Sequence, residues 1–350
     1  MRRVRQFAMV LVVLAFIVIC FTKNSFSYSL LDDEKSSRGP ITIKNQMPLY
    51  LFYLQMSPDK ADVVKSHRFK TNIDYTVSNV TVSAFTPASS LYITDIDLEV
   101  SRLNLDLRYG IYDDLEIGLE IPYISMSSGY LDNFIESFED AIGARTPRSR
   151  EKQGSYEFDY ALRYNWGYLI NKKGSIEGIG DMSFNVKYQL LKDSGYFVPN
   201  LALRSALKFP TADKNDLLGS GEFDYGFGLL IDKMFFERFF LYLGGNIVLI
   251  EKPSFLDALD IDSKMYSLLA GLEYFFTDRF SVVLQASGNT TVYPYSDTNP
   301  LDNDAFDIGL GFNYAFKGKE NMSWHFAITE NYSAASTPDV AFHAGISYEF

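Results

Sequence analysis

The feature that most constrains this chain is a two-residue alternation of apolar and polar side chains, repeated along most of its length with no long apolar run to interrupt it. Between Lys264 and Phe276, the residues Tyr266, Leu268, Ala270, Leu272, Tyr274 and Phe276 share one face, opposite Ser267, Gly271 and Glu273. In the same way Phe306, Ile308, Leu310, Phe312, Tyr314 and Phe316 oppose Asp307, Gly309, Gly311 and Asn313, and Met182, Phe184, Val186 and Tyr188 oppose Ser183, Asn185 and Lys187. A period of two is that of a strand. Strands with an apolar face and a small or polar face suit a membrane only as a closed ring, because an open edge would leave backbone groups unpaired in hydrocarbon. The expected fold is therefore all-β, a closed antiparallel transmembrane barrel.

Strands are expected near 66 to 85, 90 to 110, 115 to 126, 178 to 191, 197 to 209, 222 to 232, 238 to 250, 264 to 276, 279 to 290, 304 to 316, 321 to 331 and 339 to 350, about twelve in all. The connections alternate short and long, as they do where tight turns lie on the periplasmic side and long loops outside. The alternation stays in phase if the strand-like stretch Tyr156 to Tyr168 belongs to the long extracellular loop 127 to 177. In that loop Leu131, Phe134, Ile135, Phe138 and Ile142 fall on one helical face, which predicts a short amphipathic helix. It would lie on the outer leaflet, fold back as a lid, or pack on its own loop. Residues 28 to 60 precede the barrel, 61 to 350, as a periplasmic segment that forms either an internal plug or a tail.

The N-terminus has Arg2, Arg3 and Arg5, an apolar run from Phe7 to Phe21, and small residues at Ser25 and Ser27. This reads as a signal peptide over 1 to 27; an uncleaved anchor would want roughly 20 apolar residues. The one cysteine, Cys20, lies in that run, so a processed chain has no disulfide, thiolate metal site or cysteine nucleophile. A net charge of -12 argues against a nucleic-acid partner. The 29 Phe and 24 Tyr suit strands and membrane interfaces.

On the last strand Phe342, Ile346, Tyr348 and Phe350 share a face and the final residue is aromatic, an ending that resembles the signal read by the barrel-assembly machinery. The stretches Gly178-Ile179-Gly180-Asp181-Met182, Lys208-Phe209-Pro210-Thr211-Ala212-Asp213 and Gly219-Ser220-Gly221 resemble two groups: the uncharacterised bacterial family domain of unknown function 3187, and the outer-membrane family linked to the phenol meta-cleavage pathway. Asn45-Gln46-Met47-Pro48-Leu49 and the length favour the first. The resemblance implies a barrel with traffic of small apolar compounds; the strand pattern, the aromatic faces and the loop 127 to 177 lead to the expectation of a monomer in the outer membrane, among lipid and lipopolysaccharide. The resemblance carries no catalytic residues across.

The candidate site is a charged lumen. Arg68, Lys70 and Asp74 fall on the first strand, Asp95, Asp97 and Glu99 and then Arg102, Asp106 and Arg108 on the second, Glu116 and Glu120 on the third, and Lys187, Arg204 and Lys208 further on. The phase on the second strand flips near Ser101, so a β-bulge is expected there to keep all its charges inward. Opposed acids and bases on neighbouring strands allow two readings, a water-filled passage with a charged constriction or a closed lumen knitted by salt bridges. His325 and His343 share the lumen phase and form a candidate pair for metal or acid-base work, or two hydrogen-bonded lumen residues. No hydrolase signature is found, and no cofactor or metal is expected. The strand glycines Gly226, Gly228, Gly244, Gly245, Gly309 and Gly311 read as lumen space or bulges. The loop acids Asp257, Asp260, Asp262, Asp297, Asp302 and Asp304 read as solvated loops or as anchors for divalent cations on lipopolysaccharide.

Overall fold

The computed structural model describes residues 37–85, 92–129, 158–165, 167–194, 197–294, 296, 299–331, 336–338 and 340–350. The chain divides into two units, Met1–Ser37 and Arg38–Phe350, and the architecture below is that of the second. The expected signal peptide and the expected helix around Tyr130 to Ile142 lie outside the described residues.

Strand β1 (Phe69–Phe85) pairs with β2 (Tyr92–Tyr112), and β2 with β3 (Leu115–Ser127). After β4 (Asp159–Tyr164), β5 (Gly167–Lys172) and β6 (Ile176–Ile179), the lower half of β3 takes β7 (Ser183–Leu191) as its neighbour. The ring continues through β8 (Asn200–Lys208), β9 (Asp224–Phe235), β10 (Phe239–Ile250), β11 (Lys264–Phe275), β12 (Phe280–Asn289), β13 (Ala305–Phe316), β14 (Lys319–Asn331) and β15 (Val340–Glu349). β15 returns to β1 with Lys70 opposite Glu349, and Phe69 and Phe350 exchange both backbone bonds at 2.9 Å. Among the described residues this makes a closed antiparallel barrel of twelve strands. The stretch expected to be strand-like inside the long loop is a hairpin, β4–β5, paired to the end of β2 outside the ring.

Burial inverts the pattern of a water-soluble barrel. Ile73, Leu103, Leu107, Phe227, Leu268, Leu284 and Leu310 stand exposed on the outside, while Asn72, Asp106, Glu116, Lys187, Asp232, Glu273 and His343 are buried within. An apolar surface of this extent around a charged interior is stable where the outside meets hydrocarbon rather than water. At the end with the short turns, aromatic rings form a chain round the outer rim: Phe69 to Tyr109 at 4.5 Å, Phe239 to Tyr274 at 4.6 Å, Tyr274 to Phe276 at 4.8 Å and Phe312 to Trp324 at 5.1 Å. Such girdles sit at membrane interfaces.

The bulge expected near Ser101 is absent. The β1–β2 register runs unbroken from Phe69 opposite Tyr109 to Phe85 opposite Ile93, and β2 meets β3 without a shift between Glu99 and Gly110. Arg102, Asn104, Asp106 and Arg108 therefore face inward together with Val100, Leu98 and Ile96, while Asp95, Asp97 and Glu99 take the outward phase, a correction of the lumen assignment. The reason is length. β2 has 21 residues and β1 has 17, against the roughly 9 to 11 that cross a bilayer. Beyond the apolar layer the two faces exchange character, with Val80, Val82, Ile96, Leu98, Val100, Ile124 and Met126 packed inside as an ordinary core.

Candidate functional site

Residues 38 to 66 run through the ring, joined to inward-facing side chains along its full height. The ascending limb starts at the short-turn end, where Arg38 donates its N–H to Glu273 at 3.2 Å and its guanidinium to the Asp278 carbonyl at 3.1 Å. Ile41 exchanges both backbone bonds with the Gln285 amide at 2.8 and 3.0 Å. The apex, Met47 to Leu54, contains the 3₁₀ turn Pro48–Tyr50 and is buried throughout. It packs into the core of the long-loop end with Leu256, Leu259, Val292 and Tyr293, and Phe52 meets the Phe255 ring edge-on at 5.2 Å. Proline at the first position sets the turn, and the apolar run after it supplies the burial.

The descending limb is held by its main chain. Lys208, Arg204 and Lys187 donate to the carbonyls of Phe52, Ser57 and Lys60 at 2.7, 2.6 and 3.2 Å. Asp224 and Glu116 accept from the amides of Leu54 and Val64 at 2.8 and 2.7 Å, and Asp232 accepts from Ala61. Two side chains of this limb also join the charge network: Asp59 accepts from Arg108 at 2.8 Å and Lys187 at 2.9 Å, and the Ser57 hydroxyl donates to Glu120 at 3.4 Å.

Around these anchors the expected lumen charges fall into groups. Arg108 also binds Asp106 at 2.7 Å and Glu116 at 3.4 Å, and Lys187 reaches Glu116 at 3.4 Å. Glu120 accepts from Arg102 at 3.2 Å and from Lys44 of the ascending limb. Lys208 pairs with Asp181 and Asp224 at 2.9 and 3.2 Å. Lys70 takes the inward phase opposite Arg108. Arg68 is a further correction. It is half exposed and lies 3.6 Å from Glu349 at the short-turn rim, because the strand begins only at Phe69.

The two histidines are separately engaged. His325 lies 3.0 Å from Asp74, and His343 bonds Thr76 at 2.9 Å and Thr329 at 3.0 Å. Among the described residues no group of three or more His, Cys, Asp or Glu is arranged to hold a metal ion. On the last strand Tyr348 and Phe350 are exposed on the outside, in the phase of Ile346 and Phe342. The residues that sequence reasoning missed are Asp59 and Lys44 on the segment and Asp181, Asp224, Asp232 and Gln285 on the wall; Glu273 falls on the polar face of the sequence pattern but not among the expected lumen charges. Most of the wall set could have been found from inward phase alone.

Inward glycines make the seat. A Cβ at Gly226 would stand 2.6 Å from the Met56 sulfur, and one at Gly309 2.7 Å from Ile43 Cδ1; one at Gly311 would collide with Ile41. Where the fit is looser, a polar cavity of about 10 Å³ lies between the limbs and the wall, lined by Thr42, Lys44, Gln46, Ser57, Asp74, Thr76, Arg102 and Asn104, about the room one water needs (roughly 10–15 Å³). Burial would raise the Asp59 carboxyl, but the charges of Arg108, Lys187 and Arg204 overrule it and hold it well below the usual carboxylate range. Burial lowers the Lys44 ammonium to about 8, with Glu120 opposing.

The geometry agrees with what comparison finds. The chain is similar in fold to the COG4313 outer membrane channel from Pseudomonas putida F1, with a TM-score of 0.54 and 13% identity over 85% of this chain and all (100%) of that one. Weaker likenesses include the NanC porin, with a TM-score of 0.43 and 8% identity over 80% and 98% of the two chains. Another is the Pseudomonas putida toluene transporter TodX, with a TM-score of 0.35 and 10% identity over 82% and 90%. No curated protein matches. The family model described as "Protein of unknown function (DUF3187)" matches residues 11–350, and the chain belongs to that family.

Proposed function

We propose that this protein is an outer-membrane channel for small solutes, apolar ones among them, and that the state described here is its closed one. The observation that carries the reading is the inverted barrel, apolar outside and charged inside, whose lumen is closed by a separate segment packed against the barrel's own inward side chains. A wall that needed only to be stable would have no use for glycines that make room for a separate strand of chain. The aromatic-ended last strand supports assembly as a client of the barrel machinery, and the outer face supports a lipid and lipopolysaccharide surround for a monomer.

The test is to lock the segment. Ala61 of the segment and Ala202 of the wall, both fully buried, share one apolar cluster with Leu230, and the pair Ala61→Cys and Ala202→Cys in a Cys20→Ser chain is chosen to join segment to wall, with the crosslink verified before recording. The oxidised protein is expected to show no conductance in planar bilayers and no uptake of small aromatic solutes, and reduction to restore both. Conductance unchanged by oxidation would overturn passage by way of segment movement. A second reading, a permanently closed barrel with a structural role, is favoured by the density of paired lumen charges; it predicts silence in both redox states.

A further inference from the structure

The motifs Gly178 to Met182 and Lys208 to Gly221 are not explained by a channel wall alone. Asp181 follows Gly180, at the point where the β3 partner passes from β6 to β7, and lies within bonding distance of Lys208. There Asp181 accepts the amides of Ala212 and Ser220 at 3.0 and 3.1 Å. Lys208 sits between Asp181 and Asp224, its three protons directed to the Phe52 carbonyl at 2.7 Å, Asp181 at 2.9 Å and the Ser220 hydroxyl at 2.5 Å. Asp224 in turn accepts Leu54 N–H from the apex and Glu251 N–H from the next long loop, at 2.8 and 3.2 Å. One ammonium thus joins the apex to two loops at the end where outside solutes would arrive. If the apex leaves, the ammonium and the Asp224 carboxylate each lose a partner in a dry pocket, a costly outcome unless water enters.

We propose that Lys208 is the latch of the segment, a positioning residue through which the loops 209–223 and 251–263 set whether residues 38–66 stay in the lumen. The proposal rests on the channel reading for its purpose but not for its geometry.

The experiment uses the full chain carrying Cys20→Ser and Ser57→Cys, and measures how fast a charged methanethiosulfonate reagent labels position 57. Lys208→Met is expected to speed labelling about tenfold, the factor given by about 1.4 kcal/mol. Ser220→Ala, which removes the ammonium's bond to the loop together with the Ser220 hydroxyl's bonds to the Glu222 amide and carbonyl at 3.0 and 3.1 Å, is expected to speed labelling in the parent chain and to add clearly less in the Lys208→Met chain, since residues sharing one network are not additive. Should Lys208→Met fail to assemble, Lys208→Met with Asp224→Asn keeps the pocket at its net charge of -1 and is expected to label as fast. Unchanged labelling in an assembled barrel, or full additivity, would overturn the latch. Conductance is recorded on the same samples. Faster labelling with no conductance sinks the channel reading and leaves the latch; conductance with unchanged labelling does the reverse.

Discussion

Asp59 shows how one side chain can matter more than its sequence context suggests. It lies in a polar stretch with no strand period, yet it receives two cations in the middle of the lumen. Its carboxyl is depressed in the folded state, so the stability it contributes is present above the unfolded value of about 3.9 and is lost as pH falls below that value toward the folded one. Labelling of a cysteine at position 57, taken relative to an exposed reference cysteine on the same barrel so that the shrinking thiolate fraction cancels, is expected to rise as pH drops below about 4, and Asp59→Asn to raise it at neutral pH while flattening the acid response. At Gly226 the expected effect is steric. Gly226→Val drives a branched side chain at Met56 and Leu54, both on flexible side chains, so the barrel should assemble while the segment loosens, seen as faster labelling in a heat-resistant barrel. Val at Gly311 meets backbone as well and is expected to impair assembly itself.

At the scale of elements, β2 is two things in one strand. Its lower half is a wall between lipid and a charged lumen, and its upper half encloses a conventional apolar core. The expected cost of truncation follows that division. Leu98→Ala, deep in the core at 2% exposure, should cost about 2–5 kcal/mol in urea unfolding from lipid vesicles. Leu103→Ala, outward and 45% exposed within the protein, should cost clearly less, because lipid fills the gap. Equal costs at the two positions would mean that the faces have been misassigned.

At the scale of the molecule, the lumen is closed from within by its own chain. Removing residues 38–66 takes away an apex that fills the long-loop end and the groups that satisfy Arg204, Lys208 and Asp232. Water must then enter, because unpaired buried charges are too costly to keep dry. The shortened barrel is expected to conduct steadily in planar bilayers where the full chain is mostly silent, with a current that no longer responds to pH near 4. A shortened barrel as silent as the full chain would show that the loops alone seal it.

The closed ring was legible in the sequence because a strand's side chains alternate whatever it pairs with, and because the alternation at Tyr266 to Phe276 or Phe306 to Phe316 leaves one consistent answer to which face meets lipid. The twelve strand positions and the lumen phase of Glu116, Glu120, Lys187 and Lys208 follow from that local rule. The phase flip at Ser101 misled for the same reason: periodicity records which residues are apolar, and only the register shows that the surroundings, not the strand, had changed along β2. The threading of residues 38 to 66 was decided by tertiary structure alone. The sequence leaves residues 28 to 60 open between an internal plug and a tail, because the limbs have no period and their backbone groups are satisfied by side chains from strands far away in sequence, so no local pattern could choose.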